Sequence, residues 1–468
     1  MKSKGKLIFL LSLASFLAVG VLLPFHIFMK YSNKVLSYDY FSDGLGFSFL
    51  IVLVASLAVI EIRMLSTVRI RNSSVPVLSY FMERGVHFRF IKAIIFSFVT
   101  CTLSFLMGLA LGGEAPSVFM GAVCFAFVFS FSEESKERLL RAIKVGSCVG
   151  FSLAFMNPIA GILFSFVPNK FEKGYFKKEY KLILEGSICA IMSYLLYACL
   201  KGLIYWHEYK DNFGAAFLFN DFQWNVLEIP WSALKQYWIP LLIAPLSFGL
   251  AYAYAKGLGF FRHLLWREKT WTYVFSIIGA IVLIPFCRYY FPLSLGSGAK
   301  LIEENVTLLT EGLGALALLF FVRLFLTFFS FTSHFSGGNI IPSLAIGNLF
   351  GVLFAGILQL LLPLSEEETL LISFTFMLSF FASVSDKRSS VLALVFSFGP
   401  NPSLIIALLP SFAFEYLMHK KVKNFASLST IFAKSDIENN AFARTLWRHY
   451  PYCSPMFEDI WERRIEAK

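Results

Sequence analysis

The sequence predicts an all-α polytopic membrane protein built from two repeated halves of broken transmembrane helices, inverted in the membrane if the number of crossings between equivalent points is odd. Three observations predict it. Of 468 residues, 57% are apolar and 15% charged, whereas a soluble domain carries roughly a quarter charged residues. Apolar runs recur along the chain at 7–29, 46–63, 90–111, 117–131, 143–166, 182–203, 231–255, 273–291, 314–331, 340–362, 370–384 and 404–417, several too short to cross about 30 Å of hydrocarbon unaided. A Gly-Gly…Pro-Ser phrase occurs twice, as Gly112-Gly113-Glu114-Ala115-Pro116-Ser117 and as Gly337-Gly338-Asn339-Ile340-Ile341-Pro342-Ser343, each followed four residues after its Ser by Gly121 or Gly347.

The first run, 7–29, follows three lysines and extends beyond a secretory signal core without a clean cleavage pattern, so it is expected to be an uncleaved span. The net charge of +11 collects in short loops, Arg63 to Arg71, Lys170 to Lys181 and Lys256 to Lys269. The loop from Tyr205 to Pro230 sets Lys210 against Glu208, Asp211, Asp221 and Glu228. By the positive-inside rule the first set faces the cytoplasm and the last the exterior, with both termini cytoplasmic. This explains the basic balance without nucleic acid.

A second shared landmark, Leu163-Phe164-Ser165-Phe166-Val167-Pro168 and Val395-Phe396-Ser397-Phe398-Gly399-Pro400, follows the two Gly-Gly phrases in the same order. The chain therefore divides into an N-terminal segment with the first span (1–45), a first membrane repeat (46–202), an external loop and connecting span (203–270), a second repeat (271–419) and a final helix start with a cytoplasmic tail (420–468).

Chemistry concentrates where helices begin inside apolar sequence. Proline suits a first helical turn, whose N–H groups lack intrahelical partners, so Pro116 and Pro342 mark helix N-termini, and Pro76 in Asn72-Ser73-Ser74-Val75-Pro76 marks a third. An embedded helix start is an anion site. Glu114 places a carboxylate over one such start; the second copy carries Asn339 and no charge. The cysteines, mostly in apolar runs (Cys101, Cys124, Cys148, Cys189, Cys199), read as small core residues, and no histidine spacing suggests a metal or cofactor. Arg323, Glu185 and Glu415 also lie in apolar runs, where structural pairing and function are equal readings. An intramembrane hydrolase using Ser297 lacks a base at recognisable spacing.

Together, Asn72 to Pro76, Gly112 to Pro116, Phe155-Met156-Asn157-Pro158-Ile159-Ala160-Gly161-Ile162-Leu163-Phe164 and Gly337 to Pro342 resemble, in order and spacing, the signature elements of the CLC chloride channels and transporters. Phe321-Val322-Arg323 and Gly296-Ser297-Gly298 are similar to further family features, and the resemblance spans about 46–419. It implies a CLC-like inverted repeat and a homodimer in a bacterial inner membrane, each subunit with its own pathway. Ser73 would contact a bound chloride, Glu114 would be the gating carboxylate, and the backbone amides of Ala115, Asn339 and Ile340 would hold the anion.

The departures set further expectations. Asn72, Ser74 and Ala115 replace glycines, Gly113 replaces Arg or Lys, and Ile340 replaces Phe. The family's anion-contacting tyrosine falls where this chain has Phe425, and the soluble domain pair of many relatives is not expected in the roughly 40 residues after Leu428. A pair of glutamates, the second of which delivers protons from the cytoplasmic side in family exchangers, falls on Val167 and Pro168. The expectation is a passive chloride channel or uniporter gated by Glu114; the alternatives are a chloride/proton antiporter or a coupled carrier of an organic anion.

Overall fold

In the computed structural model the described residues are 2–37, 51–60, 75–83, 88–131, 135–167, 174–209, 229–265, 270–305, 307–385, 388–399 and 401–421. Among them every regular element is helical. The first half comprises α1 (Lys2–Ser37), α2 (Ile51–Ile60), α3 (Val75–Glu83), α4 (Phe90–Leu106), α5 (Glu114–Ser130), α6 (Lys136–Ala154), α7 (Pro158–Phe166) and α8 (Tyr175–Ile204), followed by the single turn α9 (Trp206–Tyr209). The second comprises α10 (Trp238–Leu265), α11 (Thr270–Tyr290), α12 (Ala299–Glu303), α13 (Leu313–Thr332), α14 (Ile340–Gln359), α15 (Glu366–Ser385), α16 (Arg388–Phe398) and α17 (Pro402–Lys421). Among the described residues seven helices are long and apolar enough to cross a membrane: α1, α8, α10, α11, α13, α14 and α15. The chain is a multi-pass membrane protein.

The structure corrects the expected runs in three places. The run 143–166 is broken: Asn157 accepts from the N–H groups of Ile159 (3.0 Å) and Ala160 (3.2 Å) and starts α7 afresh, with Met156 at φ +49° in the turn. A residue preceding proline is driven out of the helical region, so Asn157-Pro158 cannot continue α6. The run 231–255 opens with a 3-10 turn, Trp231–Gln236, before α10 begins. A helix absent from the expected runs, α16, occupies 388–398; at 11 residues it is too short to register as a span. Of the expected core cysteines, Cys199 is exposed while Cys101, Cys124, Cys148 and Cys189 are buried.

The two halves pack alike. Helix α1 lies against α4, α6 and α8, as α10 lies against α13, α15 and α17; α5 packs along α6 as α14 packs along α15. The last two interfaces are close because glycines line them. A Cβ on Gly121, Gly146 or Gly150 would collide with backbone across the α5–α6 contact, and one on Gly347 or Gly351 would press on Met377 or Ser373 of α15. Helices α7 and α16, which carry the paired Phe-Ser-Phe landmarks, pack against each other, and Asn157 Nδ2 donates to the Phe396 carbonyl at 2.7 Å. In the second half Asn401 repeats the role, accepting from Ser403 N–H (2.8 Å) and Leu404 N–H (3.3 Å) to cap α17.

Candidate functional site

The two Gly-Gly phrases meet. Gly112 and Gly338 form an antiparallel bridge, Gly112 N–H donating to Gly338 O at 2.8 Å and Gly338 N–H to Gly112 O at 2.6 Å. A Cβ on Gly338 would sit 2.9 Å from both Ala115 N and Gly112 O, so glycine permits the approach. Helix α5 starts at Glu114 behind the N-cap Gly113, and α14 at Ile340 behind the N-cap Asn339. Pro116 and Pro342 are each third residues of their helices, and Pro76 is the second residue of α3. Helix starts thus lie one or two residues before the prolines, because every N–H in the first turn lacks a partner four residues back and proline is tolerated throughout it.

This geometry also corrects the register between the copies. Matched on the bridge and the prolines, Gly113 corresponds to Asn339 and Glu114 to Ile340. The second phrase has one more residue between its Gly-Gly pair and its proline, so the counterpart of the carboxylate is an isoleucine, and Asn339 is a cap position without a side-chain cap bond.

Glu114 is buried, with 8% of its surface exposed. Its carboxyl group faces the backbone N–H groups of Gly113 and Glu114 and, from the opposite half, Ile341, while Oε2 makes no hydrogen bond within the protein. A Cβ on Gly112 would collide with that carboxylate, so the side chain folds back over the bridge. Two helix starts from different halves therefore present amides to one carboxylate, an arrangement in which a mobile anion and the carboxylate seek the same donors. Of the residues singled out in the sequence, Glu114, Ala115, Asn339 and Ile340 are brought together here, and Ser73 lies outside the described residues. The Ile341 amide was missed; its only sequence signal is its place next to Pro342.

Around this point the halves are stitched by further bonds: Ala110 N–H to Ser330 Oγ (3.0 Å), Gly296 N–H to Gly108 O (2.9 Å) and Ser336 N–H to Ser104 Oγ (3.3 Å). Arg323, fully buried on α13, donates to the carbonyls of Ser294 (2.6 Å), Gly296 (2.7 Å) and Ser297 (2.5 Å). An arginine cannot shed its charge in a protein, so a permanent cation fixes the loop that joins Gly108. The Ser297 hydroxyl accepts from Ala299 N–H at 3.3 Å at the start of α12. On the first half, Ser117 Oγ donates to Gly113 O at 2.8 Å and lies 2.8 Å from His26 Nε2, whose Nδ1 is 3.0 Å from Tyr197 Oη. No group of three or more His, Cys, Asp or Glu side chains suited to a metal occurs among the described residues.

Residues 52–419 match the family model described as voltage gated chloride channel. The chain is 26% identical over 317 residues to an H(+)/Cl(-) exchange transporter ClcA of Vibrio parahaemolyticus, a match covering 64% of this chain and 61% of that relative. It is also 26% identical over 254 residues to a ClcA of Klebsiella pneumoniae. The chain thus spans about three fifths of the length of the first of these relatives. Its fold is shared with a slow cyanobacterial Cl-/H+ antiporter, with a TM-score of 0.72, 15% identity and coverage of 92% of this chain and 97% of that one. A CLC-type fluoride/proton antiporter superposes with a TM-score of 0.64 and 19% identity, covering 88% and 95%. The match over most of the chain, on a fold whose two halves meet at paired helix starts, shows that the chain belongs to the CLC voltage gated chloride channel family.

Proposed function

We propose that the protein carries chloride or a similar small anion across a bacterial plasma membrane, as a homodimer with one pathway per subunit, and that Glu114 is its gate. The observation that carries this reading is the buried Glu114 carboxylate facing backbone amides from both halves, with Oε2 making no hydrogen bond within the protein. A carboxylate there competes with a mobile anion, and protonation removes the competitor. The amides of Ala115, Asn339 and Ile340, together with Ile341, hold the anion, and Ser73 contributes a hydroxyl from the segment before α3.

The mode we propose is exchange for protons rather than the passive conduction expected from sequence. Relatives in two genera are named H(+)/Cl(-) exchange transporters, and neighbours in fold are antiporters. Passive transport remains the second reading on one observation: the glutamate pair of family exchangers, whose second member delivers protons, falls on Val167, an aliphatic C-cap of α7, and on Pro168, which lies outside the described residues. One experiment separates them. In proteoliposomes with the potential clamped at zero, a pH gradient alone drives an exchanger to accumulate chloride, at about 1.4 kcal/mol per proton per unit. We expect uphill movement that Glu114→Ala abolishes; chloride that only equilibrates identifies the passive mode. Flux that selects a large organic anion over chloride identifies a different carrier.

A further inference from the structure

One titratable side chain outside the gate is wired to the helix that carries it. His26 lies on α1, and Phe25 and Met29 of the same helix line the space beside Gly113, where a Cβ would meet both. The hydrogen-bond chain Tyr197, His26, Ser117, Gly113 crosses α8, α1 and α5 and ends on the N-cap carbonyl of α5.

Donor and acceptor roles follow from counting hydrogens. Ser117 has one hydroxyl hydrogen and directs it to Gly113 O, so Ser117 Oγ accepts from His26 and Nε2 bears a proton. Nδ1 is then the site that gains or loses one. In the neutral ring Nδ1 accepts from the Tyr197 hydroxyl; in the charged ring Nδ1–H donates to the same oxygen, because a phenol can serve either way. Both charge states keep both ring bonds. A neighbourhood that pays no hydrogen-bond penalty for either state is what a proton-binding site needs.

The charged and titratable groups around it are of both signs. Glu114 on α5 is the residue next to Gly113, on whose carbonyl the chain of bonds ends. Lys30, one turn along α1, sits 4.5 Å over the Tyr205 ring, and Lys201 is buried one turn beyond Tyr197 on α8, which also carries Tyr194. Helix α4 offers the Phe98 ring, which packs on Phe25 and Phe28, and the buried thiol of Cys101. Helix α6 brings Cys148 beside Cys189, at the level of Ser15, three turns from His26.

We propose that His26 is a proton-binding positioning residue for the gate: charged, it holds the ionised Glu114 carboxylate in place from the first turn of α5, and neutral, it lets that carboxylate protonate and leave. The path through Ser117 ends on a carbonyl, which cannot pass a proton on, so His26 acts on Glu114 through charge and through the geometry of the turn. This rests on the reading of Glu114 as the gate, and the experiment separates the two.

The test uses chloride efflux from proteoliposomes with equal pH on both sides, between about pH 5 and pH 8, the range in which imidazole titrates. Glutamine imitates the neutral ring, donating to Ser117 and accepting from Tyr197, so His26→Gln preserves the bonds and removes the charge. We expect its acid activation to begin at a pH higher than wild type by about one unit, the scale of two unit charges interacting through a partly polar protein. Tyr197→Phe, which removes the acceptor for Nδ1–H, should shift the profile the same way by less, and serves if His26→Gln does not fold. In the Glu114→Gln background His26→Gln should shift nothing. A profile superimposing on wild type, or flux reduced by one factor at every pH, overturns the proposal. Imidazole NMR resonances assigned to His26 by difference against His26→Gln give an independent reading: they should titrate, and at lower pH in Glu114→Gln because coupling is reciprocal. If Glu114→Gln leaves efflux unchanged, the gate reading fails; resonances unmoved by that same substitution sink the His26 coupling itself.

Discussion

The starts of α5 and α14 share a backbone and differ in what they hold. Each follows a glycine of the bridge, carries proline as its third residue and serine as its fourth, and packs along its partner helix through an interface lined by glycines. On α5 the first residue is Glu114, and Ser117 is bonded both to Gly113 and to a histidine. On α14 the first residue is Ile340. There Ser343 lies beside the Tyr254 hydroxyl, neither making a well-directed hydrogen bond, and the nearby charge is the permanent one of Arg323. Symmetry of the main chain makes a site with amides from two directions. Asymmetry of the side chains gives one end a titratable carboxylate and the other a fixed charge nearby.

The largest effect should come from removing that carboxylate. Glu114→Gln should raise chloride efflux at neutral pH by tenfold or more, on the order of 1.4 kcal/mol, and flatten its pH dependence; unchanged efflux in folded protein would dissolve the contrast between the two ends. Adding Ile340→Glu to that variant should restore a pH-dependent, slower efflux, since it returns a carboxylate to the mirror position. If pH dependence stays absent, the two helix starts are not interchangeable.

Next is the fixed end. Arg323→Gln strands three carbonyls that the guanidinium now satisfies, and thermal unfolding in detergent should show a loss of about 3–5 kcal/mol, the range for breaking a buried charge site. Smaller effects compare the helix pairs. Gly150→Ala should destabilise by about 1–3 kcal/mol, because its Cβ would overlap the Ser117 carbonyl, and Gly351→Ala by less, since its nearest contacts leave more room. Equal losses would show that both interfaces relax alike. The smallest difference is between Asn157→Ala and Asn401→Ala, each removing an N-cap worth about 1–2 kcal/mol; near-equal losses are expected because both side chains also donate to a distant carbonyl.

Much of this was legible in the chain. The doubled Gly-Gly…Pro-Ser phrase located both helix starts because glycine and proline act through the backbone, at their own positions. The break at Asn157 was present as Asn-Pro but hidden by unbroken apolar composition on either side. The register slip between the copies was hidden too: reading Asn339 as the counterpart of Glu114 counts from the glycines, whereas the helix counts from the proline. His26 and Ser117 are 91 positions apart and Tyr197 is 171 from His26, so no local pattern links them. Their meeting follows from the packing of α1 on α5 and α8. Arg323 could be seen as a charge in an apolar run, but its partners are main-chain carbonyls, which every residue supplies and no sequence marks.

The bridge between Gly112 and Gly338 also has a meaning in time. Each of its two amide hydrogens is held by the other half of the molecule, so neither can be traded for deuterium until the halves separate at that point. The two glycines should therefore exchange at one common rate, a clock that ticks only when the midline opens. A transport cycle that leaves this seam closed will leave both hydrogens in place through many turnovers, and one that parts it will lose both together.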